Sequence, residues 1–211
     1  MRQLTFYCIG AALLSLCPAR PATTFTFNTD PFAGTNVLNT PGRQMVGGED
    51  FVSFSIGNDI FSMNSSPFGV GGPVQFVSST TANLPAGGVN VVVLLDFDND
   101  ANPLTPFGAG NAADLIASKI TEHGAGFFVY FNQGLNLPRL VYSTDLSSNQ
   151  SDLKVLARML NLSGPEGRNA MPTFTATNFE ITGTAGAAPE PSSFLLMTGA
   201  GLIGACLLCA A

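Results

Sequence analysis

Asp96, Asp98 and Asp100 alternate along the stretch Asp96-Phe97-Asp98-Asn99-Asp100, the spacing with which a calcium loop begins. Carboxylates on alternate residues of a turning chain can converge on one hard cation. The pattern then departs from the full calcium-loop signature, because Ala101 stands where the sharp turn needs glycine and Phe107 where a bidentate glutamate belongs. Calcium at Asp96, Asp98 and Asp100 is therefore one expectation. A solvated acidic turn behind a buried strand is the other. His123 is the only histidine, and the middle of the chain has no cysteine, so a zinc site of ordinary composition cannot be assembled there. A Ser-His-Asp triad needs one histidine only, but neither a G-x-S-x-G elbow nor an H-E-x-x-H stretch accompanies it. His123 reads instead as a polar residue at the end of a helix, where it suits the dipole. Glu49, Asp50 and Glu166 could serve as paired carboxylates for glycoside hydrolysis. The chain has no tryptophan to supply a sugar platform, and a hydrolase is the least favoured reading. Gly69–Gly72 lacks the lysine of a phosphate loop. Asn64, Asn149 and Asn161 head N-x-S triplets that mark polar turns.

These residues must be held by some framework, and the composition points to β structure. There are 23 Gly, 14 Pro and 17 Phe among 211 residues, with only 10% charged. Short apolar runs punctuated by Gly, Pro, Asn and Asp read as strands and turns. The formal net charge of −6 argues against nucleic acid as a partner. Strand candidates are Thr23–Asn28, Asp50–Ile56, Asp59–Met63, Val74–Ser78, Val89–Phe97, Gly126–Asn132, Leu137–Thr144 and Thr173–Thr182. Val89–Phe97 is the most apolar and is expected in the middle of a sheet, buried on both faces. The aromatic residues of Phe127–Phe131, with Tyr130 and Tyr142, read as core. Asn111 as a cap, Asp114 in the first turn and Leu115, Ile116 and Ile120 on one face predict a helix over 111–121. Asp152–Leu162 fits a helical face or a strand, and a strand paired with Leu140–Thr144 is favoured because the intervening turn is short and polar. Gly164–Arg168 reads as a turn. The expected fold is mainly β, an antiparallel, jelly-roll-like β-sandwich over residues 20–182 with one short α-helix.

The two ends carry a different message. Met1-Arg2 gives a positive start, Leu4–Leu16 is an apolar run, and Pro18 and small residues follow, the order of a secretory signal peptide spanning 1–19. Cleavage after Ala19 is expected. Cys17 stands where a lipoprotein cysteine would, but Leu16 before it departs from the small residue that place requires. All four cysteines lie in the ends: Cys8 and Cys17 in the leader, Cys206 and Cys209 in the tail. An exported domain is allowed disulfides, and this one must hold together without them. Gly183–Ala188 is a small-residue linker. Pro189, Glu190 and Pro191 follow, then Ser192-Ser193, then Phe194–Ala211 without a charge. A run of about 18 such residues is long enough for a transmembrane helix.

A Pro-Glu-Pro triplet, small hydroxyl residues and a short Gly- and Leu-rich apolar segment resemble the PEP-CTERM sorting signal, with Pro189, Glu190 and Pro191 as the matching motif and 189–211 as the signal. This sequence departs from that family's pattern at its end, which is Leu208-Cys209-Ala210-Ala211 rather than a basic cluster. The resemblance implies an exported bacterial protein, anchored transiently in the inner membrane through its C-terminus. It would be processed by an exosortase-like membrane protease and would reach the cell surface or matrix in exopolysaccharide or biofilm surroundings. The expected function is a non-enzymatic surface or extracellular-matrix protein, with extracellular polysaccharide as the partner the family setting suggests. The alternative is a calcium-assisted carbohydrate-binding module using Asp96, Asp98 and Asp100.

Overall fold

The computed structural model describes residues 20–102 and 104–183. The stretches expected to be a signal peptide (1–19), a sorting motif (Pro189–Pro191) and a transmembrane segment (194–211) lie outside the described residues. Within them the chain is mainly β. The strands are β1 (Thr24–Phe27), β2 (Met45–Val46), β3 (Asp50–Val52), β4 (Ile60–Asn64), β5 (Phe76–Ser79), β6 (Val91–Leu94), β7 (Gly126–Asn132), β8 (Leu137–Ser143), β9 (Leu153–Met159) and β10 (Phe179–Thr182). Three α-helices accompany them: α1 (Ser65–Phe68), α2 (Ala109–Ala117) and α3 (Gly164–Ala170). No helix among the described residues is long and apolar enough to cross a membrane.

The strands form two sheets. A three-stranded sheet runs β1-β4-β10, and a seven-stranded sheet runs β2-β9-β8-β7-β6-β5 with β3 also paired to β9. The expectation of an antiparallel arrangement holds only for β7 with β8 and β8 with β9. All other pairs are parallel, including both pairs of the small sheet and the run β5-β6-β7. The reason is visible between β6 and β7, where α2 and its flanking loops carry the chain back before the next strand, as a parallel pair requires. The short polar links β7–β8 and β8–β9 allow hairpins instead.

Alternation along the central strands divides two cores. Val91 and Val93 of β6, with Phe127, Val129 and Phe131 of β7, face the larger core. Phe27, Phe61 and Phe179 of the small sheet fill that core from the other side. Val92 and Leu94, with Phe128 and Tyr130, face a second core, closed by Ala109, Ala112, Ala113 and Ile116 of α2. The seven-stranded sheet is thus covered on both faces, and all of β6 and β7 is buried, as the apolar run Val89–Phe97 implies. Phenylalanine supplies much of the larger core: Phe54 stacks on Phe61 at 4.2 Å between centroids and on Phe174 at 5.7 Å. Such pairs add to the burial of the rings themselves.

Asp152–Leu162 is a strand, β9, antiparallel to β8 as favoured from the sequence. Its register slips by one residue beside Leu140/Val141, so that Leu140 pairs with Ala157 but Val141 with Val155. Leu156 is the extra residue of a bulge, and the faces exchange there. Leu153 and Val155 enter the α2 core, whereas Leu156, Ala157 and Met159 enter the larger one.

Two helical expectations are corrected. α2 begins earlier than Asn111: Gly108 is the cap, and Asn111 reaches back to accept from the Gly108 N–H at 3.0 Å. Gly164–Arg168 is not a turn but most of α3, which has Pro165 in its first turn, where its missing N–H is harmless. Gly167 lets α3 press against the chain before it. A Cβ there would lie 1.7 Å from the Leu162 carbonyl oxygen. Replacing Gly167 with Ala should therefore destabilise the protein by on the order of 2–3 kcal/mol through backbone displacement. A urea titration showing an unchanged midpoint would refute this close approach.

Candidate functional site

Asp96 is the first acidic residue after β6, and it turns back onto the segment following β5. Its Oδ2 accepts from both the backbone N–H and the hydroxyl of Thr81 at 2.5 Å. Asp98 and Asp100 continue the chain outward in successive side-chain turns. Asp98 Oδ1 accepts from the Asp100 N–H, Asp100 Oδ1 from the Asn102 N–H, and Asp100 Oδ2 from the Thr105 hydroxyl at 2.7 Å. The hydroxyl of Thr105 and the N–H of Asn102 hold the Asp100 carboxyl below its usual range. Among the described residues no three His, Cys, Asp or Glu side chains are grouped to hold a metal ion. The three carboxylates proposed for calcium, Asp96, Asp98 and Asp100, accept hydrogen bonds within local turns.

His123 is not at the end of α2, which stops at Ala117. It lies on an exposed loop against Asp145 and Ser147. Its Nδ1 is 2.7 Å from Asp145 Oδ2 and 2.9 Å from the Ser147 hydroxyl. The Ser147 hydroxyl also donates to Asp145 Oδ1 at 2.8 Å. A hydrolytic triad needs the acid on one ring nitrogen and the nucleophile on the other. Here acid and hydroxyl compete for the same nitrogen. Burial raises the Asp145 carboxyl, but hydrogen bonds from His123, Ser147 and the Gly124 N–H outweigh this and leave it lowered. The group closes a loop and has no geometry for acyl transfer.

The three carboxylates considered for glycoside hydrolysis are also separated. Glu49 is buried between two arginines that face each other across β8 and β9. Its Oε1 accepts from Arg139 Nη2 at 2.6 Å and from Arg158 Nε. Burial alone would raise this carboxyl. Its own backbone N–H and the two guanidiniums reverse that and lower it to about 2. A general acid must hold a proton near neutral pH, and Glu49 cannot. The Tyr130 hydroxyl, within 3.4 Å of Arg139 and 2.9 Å of Asn132, extends the network inward. The exposed ring of Phe51 covers Arg158 at 5.3 Å. Glu166 lies in the first turn of α3. The sequence carried a signal for this cluster that was not used: an arginine inside each of two apolar strands needs an internal acidic partner.

Asp50, next to Glu49 in the chain, lines a different place. A cavity of about 210 Å³ opens between the turn after β1 and the edge of β9. Asp30, Asp50 and Lys154 line it with Thr29, over a floor that includes Phe27 and Leu156. A second cavity of about 480 Å³ continues past Asp30 and Pro31, which line both. Leu38, Ser66, Pro67 and Thr144 complete its walls, with Tyr142 at its base. Burial and the nearby Asp30 push the Tyr142 hydroxyl up to about 12, and it donates to the Phe68 carbonyl at 2.7 Å. This double cleft is a concave feature with several polar groups on its walls. Asp30 and Lys154 were not singled out in the sequence. Asp30-Pro31 reads as a strand break, and only the fold brings it opposite β9.

No known protein family matches the chain, and neither a characterised protein nor a solved structure does.

The Glu49 geometry makes a stability prediction. Glu49→Gln leaves two partly buried guanidiniums facing each other without their counter-charge and should cost about 1.5–3 kcal/mol, whereas Ser147→Ala, which removes one hydroxyl from a loop network, should stay within about 1 kcal/mol. Because the folded carboxyl titrates below the unfolded one, its contribution is complete above about pH 4.3 and disappears as pH falls toward 2. Urea midpoints of wild type and Glu49→Gln should therefore draw together as pH falls from 5 to about 2. A gap as wide at pH 2 as at pH 7 would contradict the assignment.

Proposed function

We propose that this is an exported, non-enzymatic surface or matrix protein of a bacterium, addressed by its C-terminal tail and processed by an exosortase-type membrane protease. The observation that carries the reading is the Pro189-Glu190-Pro191 triplet standing directly before an uncharged C-terminal segment, in a chain that also begins with a signal-peptide pattern. The fold is compatible with it. The last strand, β10, closes at Thr182, so that the small-residue linker and the triplet follow a completed folded body. A protease reaching the triplet need not unfold that body. The two sheets share the larger core, which supports a sandwich-like body, with α2 as an added layer.

The non-enzymatic part of the reading is supported by the chemistry of the candidate groups. Glu49 is locked as a carboxylate, and His123 presents one nitrogen to both of its neighbours. The folded body is then a carrier of surface rather than of reaction. Extracellular polysaccharide is the partner that the sorting-signal resemblance implies.

Processing at the triplet has a direct test. Mass spectrometry of the exported protein, from a host that has an exosortase, should show loss of residues 194–211 in the wild type. It should show their retention in the membrane fraction for Glu190→Ala. If wild type and variant both keep the apolar segment, the triplet is not a sorting element and the tail is an anchor alone.

A further inference from the structure

Of the 14 prolines in the chain, Pro31 alone follows an aspartate. The Asp30–Pro31 peptide bond has a chemistry that other peptide bonds lack. An aspartate oxygen that attacks its own backbone carbonyl carbon closes a five-membered ring. The proline nitrogen takes up a proton more readily than an ordinary amide nitrogen and leaves as an amine. It also carries no hydrogen, so the competing closure of that nitrogen onto the side-chain carboxyl is barred.

The fold sets this peptide up. Asp30 is exposed, and its Oδ1 accepts from the Phe32 N–H at 2.9 Å, a turn that folds the side chain back across the bond to Pro31. The Asp30 carbonyl accepts from the Ala33 N–H at 3.3 Å. That donor faces the oxygen on which negative charge develops as the carbonyl carbon becomes tetrahedral. Asp30 and Pro31 line both cavities of the double cleft, so the bond borders open space on two sides and solvent has a route to the proline nitrogen. The titratable groups facing Asp30 there are Asp50 of β3, Lys154 of β9 and Tyr142 of β8. Lys154 donates to the Gly47 carbonyl and Tyr142 to the Phe68 carbonyl, so neither ties up the Asp30 carboxyl. Among the described residues Asp30 belongs to no ion pair.

We infer that the folded chain cuts itself between Asp30 and Pro31 in mildly acidic surroundings. A carboxylate oxygen of Asp30 bonds to the Asp30 carbonyl carbon. Solvent protonates the Pro31 nitrogen, and the C–N bond breaks with its electron pair going to that nitrogen. Pro31 becomes a free secondary amine and Asp30 a cyclic anhydride. One water then opens the anhydride to two carboxyls. The sum is hydrolysis of one peptide bond, with nothing oxidised or reduced. The severed piece stays seated, because β1 pairs with β4 from Thr24 opposite Ile60 to Phe27 opposite Met63. Phe27 is buried, and the Thr23 N–H donates to Asp59 at 2.8 Å. The cut lies in the folded body and does not depend on the tail.

Incubation of the full chain in detergent micelles at about pH 4.5 tests this, because the Glu49 contribution to stability is still complete there. Intact mass should report two pieces, and N-terminal sequencing of the larger should begin Pro31-Phe32-Ala33. Under native gel filtration the two should elute together. The cut should be at least about tenfold faster in the folded protein than in the same protein unfolded by urea, since the fold fixes the reacting groups. It should slow as the pH is raised toward neutrality, since a proton must reach the leaving nitrogen. Asp30→Asn keeps the acceptor for the Phe32 N–H but not the carboxylate, and should slow the cut at least about tenfold with circular dichroism unchanged. Pro31→Ala, with a less basic nitrogen, should slow it likewise. An uncut folded wild type overturns the inference. So does cutting of Asp30→Asn at the wild-type rate. An equal rate in urea overturns it too, because the reaction would then belong to the dipeptide and not to the fold. Glu190→Ala should be cut at Asp30 as the wild type is, so a failure of the sorting reading and a failure of this one are separate results.

Discussion

A seven-stranded sheet with both faces covered leaves its central strands no contact with water, and much else in this protein follows from that constraint. Every polar group on β6, β7 and β8 must find its partner inside the protein. The backbone groups do so through the ladder, and the side chains are nearly all apolar. Most of the exceptions are tied down individually, although Arg139 Nε is buried without a hydrogen-bond partner among the described residues. Tyr142 donates to the Phe68 carbonyl, Asn90 accepts from the Gln75 N–H at 2.8 Å and donates to Pro73 O at 2.9 Å, and the Ser143 hydroxyl pairs with Ser151 at 2.9 Å. Arg139 is the extreme case, because it faces a second arginine on the neighbouring strand. Like charges directly across a sheet are unfavourable, and only the inward turn of Glu49 from the edge makes the pair tolerable. The edge of the sheet is thereby tied to its middle.

The small sheet has an equivalent tie in Asp59, which is completely buried. Its two oxygens accept from the Thr23 and Ser55 N–H groups at 2.8 Å each, and Arg20 approaches at 3.4 Å. Its backbone carbonyl accepts from Asn178 at 3.0 Å. One residue therefore joins the start of β1, the turn before β4 and the approach to β10, the three strands of that sheet. A second side chain works in the same manner: Asn161 pairs with both backbone groups of Phe54, at 2.7 and 2.9 Å, as a neighbouring strand would. These ties cross-link distant parts of a folded body whose described residues contain no cysteine. Together with the stacked phenylalanines they show how a body without cysteine is held by ordinary packing.

Much of this was legible in the residues. Nine of the ten strands fall within or close to runs readable from alternation and turn residues, and β2 escapes because it is only two residues long. Burial of β6 on both faces was legible because Val91–Leu94 has no polar position at all. Strand direction was not, since alternation is the same in parallel and antiparallel strands, and direction depends on how the connections travel. The mixed signal of Asp152–Leu162 has a specific cause. The bulge at Leu156 exchanges the faces, so the apolar residues of a strand acquire a spacing that imitates a helix. For the candidate site the legible part was smaller. Asp50 is visible in the sequence as an acidic residue beside Glu49, but neighbours along a strand point to opposite sides, so the two do not form a pair. Asp30 meets Lys154 only through the fold, and no local pattern in either stretch announces it.

The same β2–β3 edge answers a further demand on a β-rich protein, that its open edges not pair with those of another chain. β2 and β3 are two and three residues long, and the Gly47–Gly48 link separates them. Gly48 has a left-handed φ of 85°, which breaks the line of free backbone groups. Lys154 from β9 reaches over the break to the Gly47 carbonyl, and the charge of Glu49 points inward just beyond it. A short, interrupted edge carrying an inward charge is a poor template for another strand. Alternation just beyond the break turns Glu49 and Asp50 to opposite sides. One carboxylate neutralises the arginines, and the other lines the cleft. Edge protection and core electrostatics thus meet within one short stretch of chain.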